Sequence, residues 1–347
     1  MATIKIGLIG CGKQAAKHIS GFGLCPEVEI VLADKDPALA CALAEKERLA
    51  WVEDPVDVFS DPAIAAVDLC VPTPYHAPLI RQALAAGKDF FCEKPLCESL
   101  VDASEIDELT RRSGRIGMVG YVYRYAPVFQ KARAILDGAA ETGASPVLGK
   151  ITVATMRIGG RGSAALWKHR ASEGGGVVGE MLVHMLDLAI WCFGPIETAE
   201  VLMHELLQPQ RAIAGRTELV DAEDFLVARF RTRSGVPFVI QADLVTPAFT
   251  QLLEVQGQNG TLMASIQPEM PQFVYAARPA GGYAAGYTPL GAGPANLFES
   301  QMAAFVTAVR SRNPQANGTL AASVEAMRAI DMLQSIKAGR TGLRVRI

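Results

Sequence analysis

The chain has 347 residues, most simply two domains at roughly 100–200 residues each, and is long enough to bury a core without disulfides or metal. Its 33 basic and 36 acidic residues give a net charge of −3, which lacks the basic excess of a general nucleic-acid binder, and 50% apolar with 20% charged content excludes global disorder. Ala (52) and Gly (32) against 7% aromatics suit helices packed closely on a sheet better than an aromatic-rich sandwich.

The first 120 residues alternate strand and helix signals. Thr3–Gly10 is apolar and β-branched, Lys13–Phe22 reads as a helix and Val28–Asp34 as a second strand. Asp36 caps a helix over Pro37–Leu49, with proline at its first position. Ala66–Thr73 is a third strand, His76–Ala86 a helix ending at Gly87, and Asp89–Glu93 a fourth strand. Ser99 and Asp102 open a helix that closes on Arg111, Arg112 and Gly114, and Ile116–Val122 is a fifth strand.

After a helix at Pro127–Leu136 the pattern changes, with Glu141–Pro146 read as a linker. Strands then follow closely at Val147–Ile158, Thr198–Leu206, Phe225–Thr232, Val236–Leu244, Leu252–Gln256 and Thr261–Ser265. Hairpin signals lie at Arg233-Ser-Gly235 and Gln258-Asn-Gly260. Pro271–Asn296 reads as an irregular loop, and helices follow at Leu297–Arg312 and Leu320–Ala338. These patterns predict an α/β Rossmann domain with a doubly wound parallel sheet over 1–122. An α+β domain over 123–347 carries a large, mostly antiparallel open sheet.

Seven cysteines, at 11, 25, 41, 70, 92, 97 and 192 with no Cys-x-x-Cys, and a start without a signal-peptide pattern predict free thiols in a cytoplasmic setting. The most membrane-like window, Val177–Gly194, carries Glu180, His184 and Asp187, so no span is predicted.

Gly10-Cys11-Gly12-Lys13-Gln14-Ala15 matches GxGxxA directly after the first strand. Gly10 permits a tight turn, Gly12 lets backbone approach a pyrophosphate, and the following helix offers its N–H groups to phosphate. Asp34 ends the second strand, where an acid hydrogen-bonds ribose hydroxyls and repels a 2′-phosphate. NAD is therefore expected over NADP, with Lys35 as the residue able to face a phosphate instead. Cys11 is read as a small space-filler rather than a redox switch.

Four segments, GLIGCGKQAAKH (7–18), TPYHAPLIRQALAAGKDFFCEKPL (73–96), MVGYVYRY (118–125) and GGGVVGEMLVHMLDLAIWCFG (174–194), carry a resemblance over nearly the whole chain. In this order they resemble the glucose–fructose oxidoreductase, inositol dehydrogenase and rhizopine-catabolism (Gfo/Idh/MocA) family. The resemblance implies nicotinamide chemistry at a sugar, polyol or related carbonyl, and homodimers or homotetramers formed through the C-terminal sheet.

Glu93-Lys94-Pro95 lies at the carboxyl end of the fourth strand, beyond which open α/β sheets bind ligands. A lysine there stabilises alkoxide character, and the family's catalytic lysine maps onto Lys94. A cis bond before Pro95 would turn Lys94 into the site. Gly176–Phe193 reads as one helix entered through Gly174–Gly176, with Glu180, His184 and Asp187 on one face at i, i+4 and i+7. His184 is the candidate acid–base, with Glu180 orienting it. No second histidine or cysteine sits at ligand spacing, so no metal is expected.

The chain departs from the family at Glu180, where many members have aspartate; the extra methylene is about 1.5 Å. Either the substrate differs or Glu180 binds it rather than orienting His184, and Asp187 then matters more. Thr73-Pro74-Tyr75-His76 lacks two residues commonly found there. Pro72, Thr73 and Glu93 are candidate cofactor contacts, and His76 is a helix-start residue or cofactor neighbour rather than an acid–base group. Tyr123, Arg124 and Tyr125 either line the nicotinamide pocket or are ordinary packing. Trp167-Lys168 resembles a Trp-Arg pair of the family, on a glycine-rich stretch (159–176) that Arg157, Arg161, Lys168, His169 and Arg170, read as exposed, make basic. The expected product is an NAD-dependent oxidoreductase with its active site between the domains. The alternatives are a nucleotide-bound regulator of the same fold and a nucleotide-sugar dehydrogenase.

Overall fold

The computed structural model describes residues 3–173, 175–291, 293, 295–314, 317–337 and 344–346. Gly174 and Ala338, both used in the sequence reading, lie outside the described residues. The chain forms two compact units, Met1–Tyr125 with Asn296–Met327, and Ala126–Ala295 with Arg328–Ile347. These units differ from the division into 1–122 and 123–347: the first extends to Tyr125 and takes in Asn296–Met327.

In the first unit, β1 (Ile4–Ile9), α1 (Lys13–Gly21), β2 (Val28–Ala33), α2 (Pro37–Glu47), β3 (Ala50–Trp51), α3 (Pro55–Ser60), β4 (Ile64–Leu69), α4 (His76–Ala85), β5 (Asp89–Cys92), α5 (Leu100–Ser113) and β6 (Gly117–Val119) follow in order. The sheet order is β3-β2-β1-β4-β5-β6, and every pairing is parallel. The order reverses beside β1, so the carboxyl ends of β1 and β4 open the crevice in which such sheets bind ligands. Helix ends follow the sequence signals. Asp36 caps α2 by accepting from the Ala38 N–H (3.0 Å), and Ser99 caps α5 through the Asp102 N–H (3.0 Å). The αL residue Gly114 closes α5. The two-residue strand β3 carried too little pattern to be read.

The second unit runs α6 (Pro127–Ile135), α7 (Ala139–Thr142), β7 (Ala144–Ser145), β8 (Gly149–Gly159), α8 (Val183–Phe193), β9 (Ile196–Glu205), β10 (Gln210–Ile213), β11 (Arg216–Leu219), β12 (Phe225–Thr232), β13 (Pro237–Asp243), β14 (Thr250–Gly257), β15 (Gly260–Ala264), β16 (Phe273–Ala276) and β17 (Gly286–Pro289). Helices α9 (Leu297–Ser311) and α10 (Leu320–Lys337) and strand β18 (Arg344–Arg346) complete the chain. The large sheet has the order β17-β16-β15-β14-β8-β13-β12-β9-β18, with β7 beside β8, and only β8–β13 is parallel.

One expectation changes here. Pro271–Asn296 is not wholly irregular, because β16 and β17 pair within it and Tyr275 stands opposite Tyr287. The β14–β15 hairpin turns at Gln258-Asn259 where Gln258-Asn-Gly260 signalled it, with Gly260 pairing with Gly257 just beyond the turn. A Cβ at Gly260 would lie 2.2 Å from the Tyr275 carbonyl oxygen, so close strand approach, not turn geometry, requires glycine.

Candidate active site

The glycine loop lies at the reversal point of the first unit. Gly10 has φ +99° and its hypothetical Cβ would stand 2.6 Å from the Cys70 carbonyl oxygen, so only glycine fits. A Cβ at Gly12 would meet nothing within 4 Å, which leaves open space over the backbone where a pyrophosphate approaches. Helix α1 begins at Lys13 and Gln14 with no side-chain cap, leaving its first N–H groups to a ligand. Asp34 is buried and already at work, with Oδ2 accepting from the Cys11 N–H (2.7 Å) and Oδ1 from the Asp36 N–H (2.9 Å). It braces the loop, and its remaining lone pairs are the ones a ribose would use. Burial and the Asp34 charge push the Cys11 thiol up to about 12, which keeps it an unreactive thiol. Lys35 Nζ lies 5.4 Å over the Tyr75 ring.

Pro72 precedes a short 3₁₀ turn, Thr73–Tyr75, that leads into α4. His76 is buried, with Nδ1 2.8 Å from the Pro95 carbonyl and Nε2 2.9 Å from the Val71 carbonyl. Burial pushes its pKa down against the two carbonyl hydrogen bonds, and the ring pins two loops together. The Lys94–Pro95 bond is cis.

Glu93 is the knot of this region. Its Oε1 accepts from Gln14 Nε2 (2.7 Å) and lies 2.9 Å from His18 Nε2, while Oε2 accepts from the Lys94 backbone N–H (3.2 Å). Burial opposes its charge, but the hydrogen-bonded His18, with Lys94 and Gln14, holds its pKa at about 2. Tyr123 and Arg124 lie in a buried 3₁₀ turn, and Arg124 packs over the Tyr121 ring with Cζ at 5.9 Å. Burial raises the Tyr123 phenol pKa. Tyr125 donates its hydroxyl to the Asn317 carbonyl.

In the second unit, the helix read over Gly176–Phe193 is one continuous helical stretch from Val177, with a π-turn within it. Val178–Leu182 is a π-helical turn, and α8 follows directly. A π-turn takes in one extra residue, so Glu180 lies within a local change of helical phase. Both Glu180 carboxylate oxygens accept from Lys168 Nζ, at 2.8 Å each, and Lys168 also lies 5.3 Å over the Trp167 ring. His184 is half-buried and Asp187 buried at 1% exposure, so Asp187 is no part of a solvated stripe.

The stretch read as a basic exposed loop is largely neutralised. His169 is buried with Nε2 2.7 Å from the Ser163 carbonyl, Arg170 pairs with Glu173 (3.2 Å), and Arg157 lies 3.8 Å from Asp243. Arg161 is exposed as expected. The residues gather carboxylates that the linear sequence places 3 to 86 positions away. Lys168→Met is expected to change stability by no more than about 1 kcal/mol, because the Lys168–Glu180 pair is partly solvated. Urea denaturation checks this.

Residues 4–121 match the family model described as oxidoreductase family, NAD-binding Rossmann fold (Gfo/Idh/MocA), and residues 129–263 match that family's C-terminal domain. The chain belongs to the Gfo/Idh/MocA family. It is similar to the inositol 2-dehydrogenase of Acidothermus cellulolyticus, 29% identical over 275 residues that cover 77% of this chain and 74% of that protein. The myo-inositol 2-dehydrogenase of Thermotoga maritima is 29% identical over 272 residues, 75% of each chain. The fold is shared with a levoglucosan dehydrogenase solved with NADH and L-sorbose, at TM-score 0.85 and 20% identity over 100% of this chain and 99% of that one.

As a Gfo/Idh/MocA oxidoreductase the protein is a dehydrogenase that uses NAD. The open backbone at Gly12, the uncapped start of α1 and Asp34 at the end of β2 fit the dinucleotide. Sequence reasoning missed His18 and Asp68. The signal was present: a charged residue in the middle of the apolar run AAVDLCV, and a histidine one turn past Gln14 on α1.

Proposed function

We propose that this Gfo/Idh/MocA dehydrogenase interconverts a secondary alcohol of a sugar, inositol or sugar derivative and the matching ketone. The observation that carries the reading is Glu93, which joins the first turn of the cofactor-loop helix to Lys94 at the end of β5. A lysine whose backbone is tied to the dinucleotide loop in this way supports the reading that its ammonium meets the oxygen of the carbon that exchanges hydride. The relatives named as inositol 2-dehydrogenases support the substrate class.

NAD supplies the hydride acceptor. In the oxidation, the ammonium of Lys94 donates a hydrogen bond to the substrate oxygen and stabilises its alkoxide character. His184 takes the hydroxyl proton as the C–H bond breaks and C=O forms, and returns it in reduction. Glu180, salt-bridged by Lys168, contacts a substrate hydroxyl beside Trp167, and Asp187 fixes the helix that carries His184. Tyr123 and Arg124 shape the nicotinamide end of the pocket. Pro72, Thr73, Lys35 and Lys13 contact the cofactor's adenosine and phosphate portions. The internal pairing of the 157–173 stretch leaves little free charge for a nucleotide-linked substrate.

The enzyme acts as a homodimer or homotetramer through the large sheet, where Leu202 and Met203 of β9 are about half exposed. Its seven free cysteines fit the cytoplasm. Among the described residues no helix is long and apolar enough to cross a membrane.

Incubation with NAD and a panel of polyols and sugars should raise the reduced-nicotinamide absorbance with at least one secondary alcohol. NAD binding without turnover on any of them overturns the reading. NADP is expected to bind at least about 10-fold more weakly than NAD, since the Asp34 carboxylate would face the 2′-phosphate, and fluorescence titration of the two cofactors checks it.

A further inference from the structure

Beneath the glycine loop lies a buried charge cluster that the proposed chemistry does not use. His18, on α1, is fully buried. Its Nδ1 lies 2.9 and 3.0 Å from the two oxygens of Asp68 on β4, and its Nε2 lies 2.9 Å from Glu93 Oε1 at the end of β5. Both ring nitrogens therefore face carboxylates. A neutral imidazole has one N–H, so one nitrogen lone pair would point at a carboxylate; only imidazolium supplies a donor on each side.

We infer that His18 is a permanently protonated positioning residue. It keeps the partly buried Glu93 ionised, so that Glu93 holds the cofactor helix through Gln14 and the backbone of Lys94 at the same time. The inference rests on the reading of Lys94 as the residue that meets the substrate oxygen.

The surroundings agree. Burial by itself would drive the proton from His18, but the Asp68 charge and hydrogen bond outweigh it, and the ring's pKa lies well above its ordinary value. The neighbouring thiols carry no competing charge: burial pushes Cys70, 3.2 Å from Nδ1, up to about 12, and raises Cys92 well above its ordinary value. The cations nearby are Lys94, which adds to the field at Glu93, and Lys17, whose Nζ sits 5.4 Å over the Phe298 ring. The rings of Phe91 and Phe298 pack against His18, with centroids at 5.5 and 5.9 Å. Nδ1, an Asp68 oxygen and Cys70 Sγ lie within 4.8 Å of one another, and Nδ1 already stands at hydrogen-bond distance from Asp68.

The sign of the pH effect follows. With His18 charged, Glu93 stays ionised at any pH above about 2. Replacing His18 by an uncharged donor leaves Glu93 partly buried without its main partner, so its pKa rises above the ordinary carboxylate range. Glu93 then takes up a proton as the solution is acidified from neutral.

The test uses the whole protein. Imidazole ¹⁵N NMR of the wild type should show a signal, lost in His18→Gln, with both nitrogens protonated through pH 8. His18→Gln should bind NAD several-fold more weakly at pH 5.5 than at pH 8, where the wild type is flat. It should also add an acid limb to kcat with little change in the KM of the substrate. The double variant His18→Gln/Glu93→Gln should lose that limb, because the titrating group is gone. A neutral His18 ring at pH 7 overturns the inference without any variant. A His18→Gln protein whose melting temperature falls while its NAD affinity and kcat keep the wild-type pH profile overturns it as well, showing a merely structural histidine. Turnover that survives Lys94→Met defeats the reading of Lys94, and leaves the NMR and NAD-binding results to judge His18 on their own.

Discussion

Lys94→Met and His184→Gln are each expected to lower kcat by about 10²- to 10⁴-fold while leaving the NAD dissociation constant within about threefold. Each variant removes a group whose work is done as charge develops on the substrate oxygen, so the loss falls on kcat rather than on substrate binding. Methionine keeps the aliphatic stem of Lys94 and removes only its charge. The backbone N–H that Glu93 Oε2 accepts is untouched by the substitution, so the cofactor loop stays braced. Glutamine keeps a donor and an acceptor at position 184 but cannot exchange a proton near neutral pH. Steady-state kinetics on the best substrate of the panel, with NAD titration by fluorescence, checks both. Wild-type kcat in either variant would remove that residue from the chemistry.

Gly10→Val should weaken NAD binding by about 100-fold or more. A side chain there has to accept φ +99° and a Cβ 2.6 Å from the Cys70 carbonyl oxygen, with Val71 at 2.9 Å beyond it. Positive-φ strain in a non-glycine residue costs of order 1–3 kcal/mol, and the steric overlap adds about as much. The backbone relieves both by moving, and what moves is the turn that shapes the phosphate site. Gly23→Ala is the control. No atom lies within 4 Å of its added Cβ and its φ is not positive, so stability should change by less than about 0.5 kcal/mol. Thermal melts with and without NAD separate a lost site from a lost fold. Equal NAD affinity in Gly10→Val and wild type would show that the turn tolerates a side chain.

The Rossmann unit was legible because its signals are local. Gly10 after an apolar run makes a tight turn, and Asp36-Pro37 and Ser99 with Asp102 cap their helices, each acting within a few residues of itself. The second unit was legible as an antiparallel sheet through its alternation, but β10, β11 and β18 are short, and β16 and β17 sit among the glycines, alanines and prolines of 271–296. Short strands become visible through their partners, which lie elsewhere in the chain.

For the candidate site, the residue types were readable and their partners were not. Lys94, Glu93, Asp34 and the glycine loop follow from motif and position. The helical face shared by Glu180, His184 and Asp187 assumed 3.6 residues per turn, and the π-turn at Val178–Leu182 breaks that period. Arg157, Lys168 and Arg170 looked like free positive charge because Asp243, Glu180 and Glu173 meet them only once the chain is folded.

The sequence by itself determined a dinucleotide-binding parallel sheet, an open antiparallel sheet after it, and the lysine and histidine on which the chemistry is proposed to rest. The two sheets depend on backbone conformation and periodicity, which are properties of neighbouring residues, while the roles of the lysine and histidine rest on the resemblance to the family. Only the tertiary structure decided that Asp34 braces the glycine loop, that Lys168 takes both oxygens of Glu180, and that His18 is held between Asp68 and Glu93, 50 and 75 residues away. The physical reason is that the charge state of a buried group depends on what surrounds it in space. In this fold β4 and β5 bring two carboxylates to one imidazole, a meeting that no spacing along the chain encodes.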